Sequence, residues 1–264
     1  MNKLIPLSET PSFLKPGDTL ALGGMTLYRR PVAFVRELLR APIPPHSLIL
    51  LAFTASYESD LLVGAGLIKR VRSCYFGFEA FGLAPMFTQA ANLGEIEIVE
   101  ETEASLSFGL RAALADVGFM AGRGWIGTDM LKLRPDVKTI NDPYGGETLV
   151  AYPAIQCDVA VIHALQADRA GNAVIGGNQG VDTELAMLAK TTIITAEEIV
   201  DKLDRADIPA PAVQAVAHAP RGAWPTSCHP LYPLGGGEIL RYVDACNSEQ
   251  FEEYRRAMND HRAP

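Results

Sequence analysis

Apolar runs of strand length alternate with segments of helical periodicity along most of this 264-residue chain. The runs lie at 19–24, 47–53, 71–78, 95–99, 117–120, 158–164, 191–196 and 213–217. Helical patterns fit at 31–40, 85–93, 103–116 and 182–189. Strands that alternate with helices build βαβ units. The pattern therefore predicts an α/β fold with an open, largely parallel sheet covered by helices, in a single domain over residues 1–264.

Three segments depart from this alternation. The interval 122–146 is rich in glycine and proline, and we expect it to leave the sheet as a long excursion of the kind that forms lids and binding loops. The three glycines at 235–237 indicate a loop. The tail 248–261 predicts an exposed helix, because its acidic and basic residues are spaced as on a solvated surface.

The first predicted strand ends in two glycines. Gly23 and Gly24 are followed by Met25 and then by a helix with Pro31 at its first position. Glycine allows a ligand to approach the backbone closely, and a helix N-terminus offers unpaired N–H groups to an anion. The stretch matches neither GxGxxG nor GxxxxGK[ST]. We interpret it as a cradle for an anionic ligand, with an ordinary tight turn as the alternative.

Two arginines lie between these glycines and the helix. Arg29 and Arg30 gain nothing from the positive end of a helix dipole, which favours contact with an anion or an acidic partner. The alternatives are a solvated loop or an ion pair with a partner subunit.

Charge and cysteine content exclude several classes of function. The net charge of −8 argues against nucleic acid as a partner, because phosphate binding depends on basic patches. No stretch of eighteen apolar residues and no signal peptide is present, so we expect a cytoplasmic protein without a membrane partner. The four cysteines and five histidines show no metal-ligand spacing, and no metal site is predicted.

One carboxylate falls on an apolar helical stripe. The predicted helix 103–116 forms this stripe from Leu106, Leu110, Ala113, Leu114 and Val117. Glu103 precedes Leu106 by one helical turn and is assigned to the same inward face. A carboxylate there is either paired or lines a cavity, because an unpaired buried charge is costly. The alternative is that Glu103 only complements the positive end of its helix.

A second candidate group follows in the glycine-rich interval. Arg123 stands between two glycines, Gly122 and Gly124. A guanidinium presents a fork suited to a carboxylate, and the glycines permit close approach. We predict that Arg123 and Gly124 bind substrate, with an arginine exposed on a loop as the alternative.

Several motifs together resemble the α subunit of class I CoA-transferases, most closely the glutaconate type. They are Gly-Asp-Thr-Leu-Ala-Leu-Gly-Gly at 17–24 with Arg-Pro at 30–31, Gly-Ala-Gly-Leu-Ile-Lys-Arg at 64–70, Asp-Val-Ala-Val-Ile-His-Ala at 158–164, Ala-Asp-Arg-Ala-Gly-Asn at 167–172, and Ala-Pro-Arg-Gly-Ala-Trp-Pro at 219–225. They occur in the order of the family and span nearly the whole chain. Trp224 stands where relatives commonly have histidine.

The resemblance implies a half-enzyme that pairs with a β subunit. In the family, CoA moves between carboxylic acids through a glutamyl-CoA thioester, and the glutamate usually lies in a Ser-Glu-Asn-Gly-like motif of the β subunit, which is absent here. The implied substrates are an acyl-CoA thioester and a carboxylic acid, with no permanently bound cofactor. On this view Gly23, Gly24, Met25 and Arg30 line the CoA pocket of a hetero-oligomer.

Some related α chains are hydrolases that act on CoA thioesters of steroid-ring fragments. They use a glutamate at the place of Glu103, and arginines that match Arg123 contact substrate there. The stretch Glu-Glu-Thr-Glu at 100–103 is similar to theirs. Three hypotheses follow: a CoA-transferase subunit, a hydrolase or C–C (ring-opening) hydrolase subunit with Glu103 as general base, and a non-catalytic ligand-binding protein.

Overall fold

The computed structural model describes residues 2–260, and its centre is an eight-stranded sheet. The strands of the chain are β1 (Thr19–Leu22), β2 (Leu48–Ala55), β3 (Ile68–Phe76), β4 (Glu97–Glu100), β5 (Phe119–Gly122), β6 (Lys138–Asn141), β7 (Thr148–Pro153), β8 (Val159–Asp168), β9 (Ala173–Val174), β10 (Thr191–Val200) and β11 (Ala215–His218). The large sheet has the order β11-β10-β8-β1-β2-β3-β4, all parallel, and β9 pairs antiparallel with β8. The predicted α/β fold is confirmed.

Strand β1 lies in the middle of this sheet. Its residue Leu20 pairs with Leu50 of β2 on one side and with Val159 of β8 on the other. Leu20, Ala21 and Leu22 are fully buried, as a continuous apolar run predicts for a strand covered on both faces. The chain continues from β1 towards β4 on one side and returns through β8 on the other, so the strand order reverses at β1. In open α/β sheets, ligands bind outside the carboxyl ends of the strands at such a switch point.

The helices are α1 (Val32–Arg40), α2 (Tyr57–Gly64), α3 (Pro85–Leu93), α4 (Glu103–Leu114), α5 (Met130–Leu133), α6 (Asp182–Leu188), α7 (Gly236–Asn247) and α8 (Phe251–Asp260). Two of them correct the sequence analysis. The glycines at 235–237 do not form a loop: Gly235 is the N-cap of α7 and the next two begin the helix, because burial of Ile239 and Tyr242 outweighs the low helix propensity of glycine. The tail is helical as predicted, but Phe251 and Tyr254 bury one face of α8 against the core, and position 261 lies outside the described residues.

Strands β5, β6 and β7 form a separate antiparallel sheet in the order β5-β7-β6. The prediction that 117–120 joins the parallel sheet is therefore wrong. The alternating exposure of β5, with Phe119 exposed and Met120 half-buried, is typical of a strand covered on one face only. The excursion predicted for 122–146 leaves the large sheet as expected, and it runs from the end of β5 through α5 and β6 towards β7. Within residues 2–260, none of the helices is long and apolar enough to span a membrane.

Candidate active site

The glycines after β1 hold an anion that the chain itself supplies. The Gly23 N–H donates to the Val161 carbonyl (2.9 Å), and the Gly24 N–H donates to Oδ1 and Oδ2 of Asp182 (2.9 and 3.1 Å). A Cβ on Gly24, whose φ is 88°, would lie 2.6 Å from the Arg29 carbonyl oxygen. Both amides therefore have acceptors within the chain, Val161 for Gly23 and Asp182 for Gly24, and both glycines are buried. The predicted role of Gly23 and Gly24 in binding stays a prediction.

Arg29 and Arg30 are fully buried, so the solvated loop considered for them is wrong. Arg29 donates to the Asp182 carboxylate (2.7 Å) and to the His163 carbonyl (2.7 Å). Arg30 donates to the Glu58 carboxylate at 2.6 Å. Each guanidinium is thus paired with a buried carboxylate, as charges that leave water must be.

Arg30 also joins the ends of two strands, because one of its nitrogens donates to the Gly24 carbonyl (2.9 Å) and to the Thr54 carbonyl (2.7 Å). Within this chain Arg30 is a buried link between two strands, and its predicted place in the CoA pocket stays a prediction. Its partner Glu58 lies in the first turn of α2, a helix that the sequence pattern does not predict, so Glu58 is absent from the predicted site residues.

A tight turn over residues 25–28 follows the glycines and lies at the carboxyl edge of the sheet. Met25 and Tyr28 exchange two backbone hydrogen bonds (3.0 and 2.8 Å). The Thr26 N–H donates to the Thr54 hydroxyl at 2.7 Å, which fixes the turn to the end of β2. Met25 and Thr26 are half-buried, so this turn, and not the glycine amides, is the accessible part of the loop. The predicted role of Met25 in binding stays a prediction.

Polar and apolar groups continue along this edge from β1 to β4. A Cβ on Gly180 would lie 3.5 Å from Met25 Sδ and 3.9 Å from the Phe53 ring. The Cys74 thiol at the end of β3 donates to the Phe53 carbonyl at 2.7 Å. Burial raises the pKa of Cys74 to about 12, and the negative charge of Glu103 acts in the same direction. Residues from five segments of the chain therefore lie along one row.

Glu103 is exposed, so the prediction that it lies on the inward stripe is wrong. Helix α4 begins at Glu103, and Thr102 caps it by accepting from the Ser105 N–H (3.2 Å). The buried stripe then starts at Ser105 and Leu106. The first residue of α4 instead points to the carboxyl edge beside Cys74. The catalytic role assigned to Glu103 stays a prediction.

The buried carboxylate of this region is Glu101, two residues earlier. Its carboxylate forms ion pairs with Arg134 (2.8 Å) and Arg72 (3.2 Å), and it accepts a hydrogen bond from the Ser105 hydroxyl. With its charge compensated by both arginines, this group ties the end of β4 to the small sheet. Its arginines lie 29 and 33 residues away, so no local pattern indicates it.

Arg123 and Gly124 lie beside the start of α4. A Cβ on Gly124 would lie 3.7 Å from Ala104 Cβ, and the Trp125 indole donates to the Thr102 hydroxyl at 3.0 Å. Arg123 is exposed and bonds Glu147 through two nitrogens, with Nε at 2.7 Å from Oε2. The hydrogen bond and charge of Glu147 raise the pKa of Arg123. The structure therefore brings Arg123 and Glu103 to one end of the site, while substrate binding by Arg123 and Gly124 stays a prediction.

Among residues 2–260, one cluster of possible metal ligands lies where β8 and β10 pair, next to residue 228. Ligand atoms of His163, Glu197 and Cys228 are all within 4.8 Å of one another. Both ring nitrogens of His163 already have partners, Thr195 Oγ1 at 2.9 Å and Glu197 Oε1 at 2.8 Å. Burial raises the pKa of Cys228 to about 12, so its thiol is neutral. A cleft of about 420 Å³ at the amino edge of the sheet, near His46 and Gly66, contains none of these groups.

Comparison with known proteins gives one consistent result. A family model described as Coenzyme A transferase matches residues 7–219. The A-type subunit of a 3-oxoadipate CoA-transferase from Pseudomonas knackmussii is 36% identical over 240 residues, which is 88% of this chain and 84% of that protein. A cholesterol ring-cleaving hydrolase IpdA subunit of Rhodococcus jostii is 30% identical over 241 residues, 84% of this chain and 79% of that protein.

Two solved structures show the same architecture over nearly the full chain. The decarboxylase AibA/AibB superposes with a TM-score of 0.92 at 27% identity, covering 99% of this chain and 100% of that one. Glutaconate coenzyme A-transferase from Acidaminococcus fermentans superposes with a TM-score of 0.89 at 29% identity, covering 97% of this chain and 88% of that one.

Proposed function

Because this chain belongs to the coenzyme A transferase family, we propose that it is the α subunit of a two-chain enzyme that moves CoA between small carboxylic or dicarboxylic acids. One observation carries the proposal. The row of residues at the carboxyl edge, from Met25 through Phe53 and Cys74 to Glu103 and Arg123, lies at the switch point of a sheet that the CoA-transferase relatives share. This edge is the surface that a second subunit would complete.

The proposed chemistry is acyl exchange. A carboxylate attacks the thioester carbon, the thiolate of CoA leaves, and the resulting anhydride is then attacked by that thiolate to give an enzyme thioester and a free acid. The attacking glutamate is expected on the β subunit. Asp182, Glu58 and Glu101 are buried in ion pairs with arginines and cannot serve as the nucleophile.

The experiment is CoA exchange by the assembled enzyme. The chain is purified with the β-type subunit that binds it, then incubated with succinyl-CoA and either 3-oxoadipate or glutaconate. New acyl-CoA is measured by liquid chromatography, and a thioester on the β subunit is measured by the added mass of CoA. Hydrolysis of succinyl-CoA without a new acyl-CoA would contradict the transferase.

A second function is supported by the position of Glu103. Its exposed carboxylate stands at the carboxyl edge, and the IpdA relative is a hydrolase. In this alternative Glu103 is the general base for water on a CoA thioester or for C–C bond cleavage. The two functions make opposite predictions for Glu103→Gln, with the exposed Glu253→Gln on α8 as the control. A transferase with its glutamate on the β subunit keeps exchange, whereas a hydrolase loses turnover. The third hypothesis, a protein that only binds ligand, predicts no turnover in any variant.

A further inference from the structure

Glu197 on β10 is a carboxylate with three hydrogen-bond donors that the proposed function leaves unused. Its Oε1 accepts from His163 Nε2 at 2.8 Å and from the Tyr232 hydroxyl. Its Oε2 accepts from the Arg221 backbone N–H at 2.6 Å. Only 8% of the side chain is exposed.

These hydrogen bonds determine which of the two side chains, Glu197 or His163, carries a charge. Burial raises the pKa of Glu197, but the hydrogen bonds from His163, Tyr232 and Arg221 outweigh it and leave that pKa lowered. Burial also lowers the pKa of His163, so its ring is neutral at pH 7. His163 then donates from Nε2 to the ionised carboxylate and accepts at Nδ1 from the Thr195 hydroxyl.

Two of the three donors belong to one stretch of chain, residues 219–232, which we call the cap segment. Arg221 is near its start and Tyr232 is at its end, so Glu197 fastens both ends. The Tyr232 hydroxyl also accepts from the Ala223 N–H at 3.1 Å, within the same segment. A Cβ on Gly222 would lie 2.6 Å from the His163 ring, which shows how closely the segment packs on this cluster.

The middle of the cap segment pairs with the turn at the candidate site. The Ser227 N–H donates to the Leu27 carbonyl at 2.9 Å, and the Arg29 N–H donates to the Ser227 carbonyl at 2.6 Å. The Arg30 N–H donates to the Thr226 hydroxyl at 3.2 Å. The turn over 25–28 is thus held on one side by Thr54 and on the other by the cap segment.

We propose that Glu197 is a positioning residue for the turn over 25–28, acting through the cap segment that its carboxylate fastens at both ends. The inference rests on the proposed function in that the turn is taken to contact the acyl-CoA. Glutamine at 197 has one acceptor oxygen, and its amide would face at least one of the three donors with N–H groups of its own. One end of the cap segment is then no longer hydrogen-bonded to position 197. The turn over 25–28 keeps its contact with Thr54 but is held less firmly by the cap segment.

The test compares Glu197→Gln with Glu198→Gln in the assembled two-chain enzyme. Glu198 follows on the same strand, is exposed and bonds Gln166, so its variant removes a charge of the same sign without touching the cap segment. Hydrogen–deuterium exchange is read at Met25, Tyr28 and Arg29, together with kcat and KM for succinyl-CoA.

In Glu197→Gln we expect amide exchange over 25–29 to accelerate, and the KM for succinyl-CoA to rise, each by about tenfold or more, with kcat largely kept. Glu198→Gln is expected to match the wild type. A purely structural loss would lower the amount of active enzyme, hence the apparent kcat, and leave KM unchanged.

Equal exchange over 25–29 in the two glutamine variants would overturn the inference. If Glu197→Gln does not fold, Tyr232→Phe removes one of the three donors to Glu197, together with the acceptor of the Ala223 N–H inside the cap segment. It must then also accelerate exchange over 25–29 and raise the KM for succinyl-CoA. A wild type without CoA exchange would contradict the proposed function, while the amide exchange would still decide the role of Glu197.

Discussion

Replacing Asp60 by asparagine is expected to change how the stability of this chain depends on pH. Asp60 lies on α2 and is fully buried. Its carboxylate accepts from the Phe87 N–H (2.7 Å) and the Met86 N–H (3.2 Å) in the first turn of α3, and from the Tyr242 hydroxyl of α7 (2.7 Å). It therefore caps α3 from another helix, because α3 has no side-chain cap of its own.

The carboxyl group binds its proton more tightly in the folded chain than in the unfolded one. Burial raises the pKa of Asp60 from 3.8 to about 7, although its hydrogen bonds act in the opposite direction. The folded state thus holds one proton more than the unfolded state between these two values. The stability that this proton contributes is complete below pH 3.8 and is lost as the pH rises to about 7.

The size of the effect follows from the shift. Each pKa unit corresponds to about 1.4 kcal/mol, so the free energy of unfolding falls by about 4 kcal/mol across this window because of Asp60. Asparagine has similar shape and does not titrate. It adds a constant cost of about 1–3 kcal/mol, because its amide N–H groups face the donor at Met86. At low pH the wild type is therefore the more stable protein, and its advantage over Asp60→Asn shrinks or reverses as the pH rises.

The assay is urea unfolding followed by circular dichroism at half-unit steps from pH 4.5 to 7.5. The measured quantity is the difference in unfolding free energy between wild type and variant, in which all other titrating groups cancel. Asp204→Asn is the control, because that side chain is 94% exposed. A difference that stays constant across the range would refute the reasoning, since Asp60 would then ionise like an ordinary surface carboxyl.

Three further outcomes can be measured on the same chain. Gly24→Ala should lower the unfolding free energy by more than about 2 kcal/mol, because its Cβ would collide with backbone oxygens at a positive φ. Gly237→Ala is the control and should not destabilise the chain, because a Cβ there meets nothing within 4 Å. Arg30→Met should lower the free energy of unfolding in urea by about 3–5 kcal/mol, because Glu58 is then buried without its ion-pair partner. Adding Glu58→Gln should recover part of this loss. A double variant no more stable than Arg30→Met would contradict the ion-pair explanation. The buried thiol of Cys228, with its pKa raised to about 12, should resist an aromatic disulfide reagent at pH 8 in the native chain and react in urea, as peptide mapping would show.

Local signals are sufficient for much of the fold. Helix α3 is predicted with its observed bounds, because Pro85 fits the first helical position and Gly94 adopts the left-handed conformation that ends it. The central strands can be predicted equally well, because a strand buried on both faces appears in the sequence as a run with few polar residues. The antiparallel β5 is assigned to the wrong sheet, because a four-residue run does not reveal its pairing partner.

The candidate site can be predicted only in part, since long-range partners decide it. The glycine loop is located correctly, but Asp182 and Glu58, which bind its arginines, lie 153 and 28 residues from them. No spacing rule connects such positions. The prediction for Glu103 is wrong for a different reason. Glu103 is seven residues before Leu110 and shares its helical face, but it is the first residue of α4 and is exposed where Leu106 and Leu110 are buried. Periodicity assigns a face and does not show how far along the helix that face is covered.

The contact between Gly24 and Asp182 also determines when this region can assemble during synthesis. The two residues are 158 positions apart, and the second neighbour of β1, strand β8, begins only at Val159. Until the ribosome has released more than half of the chain, β1 has one unpaired edge and Arg29 has no counter-ion. Closing so long a loop is slow, and an open strand edge invites pairing with other chains. A nascent chain stalled before Val159 should therefore bind chaperones through its first strand, whereas one released after Tyr232 carries every residue that the turn requires.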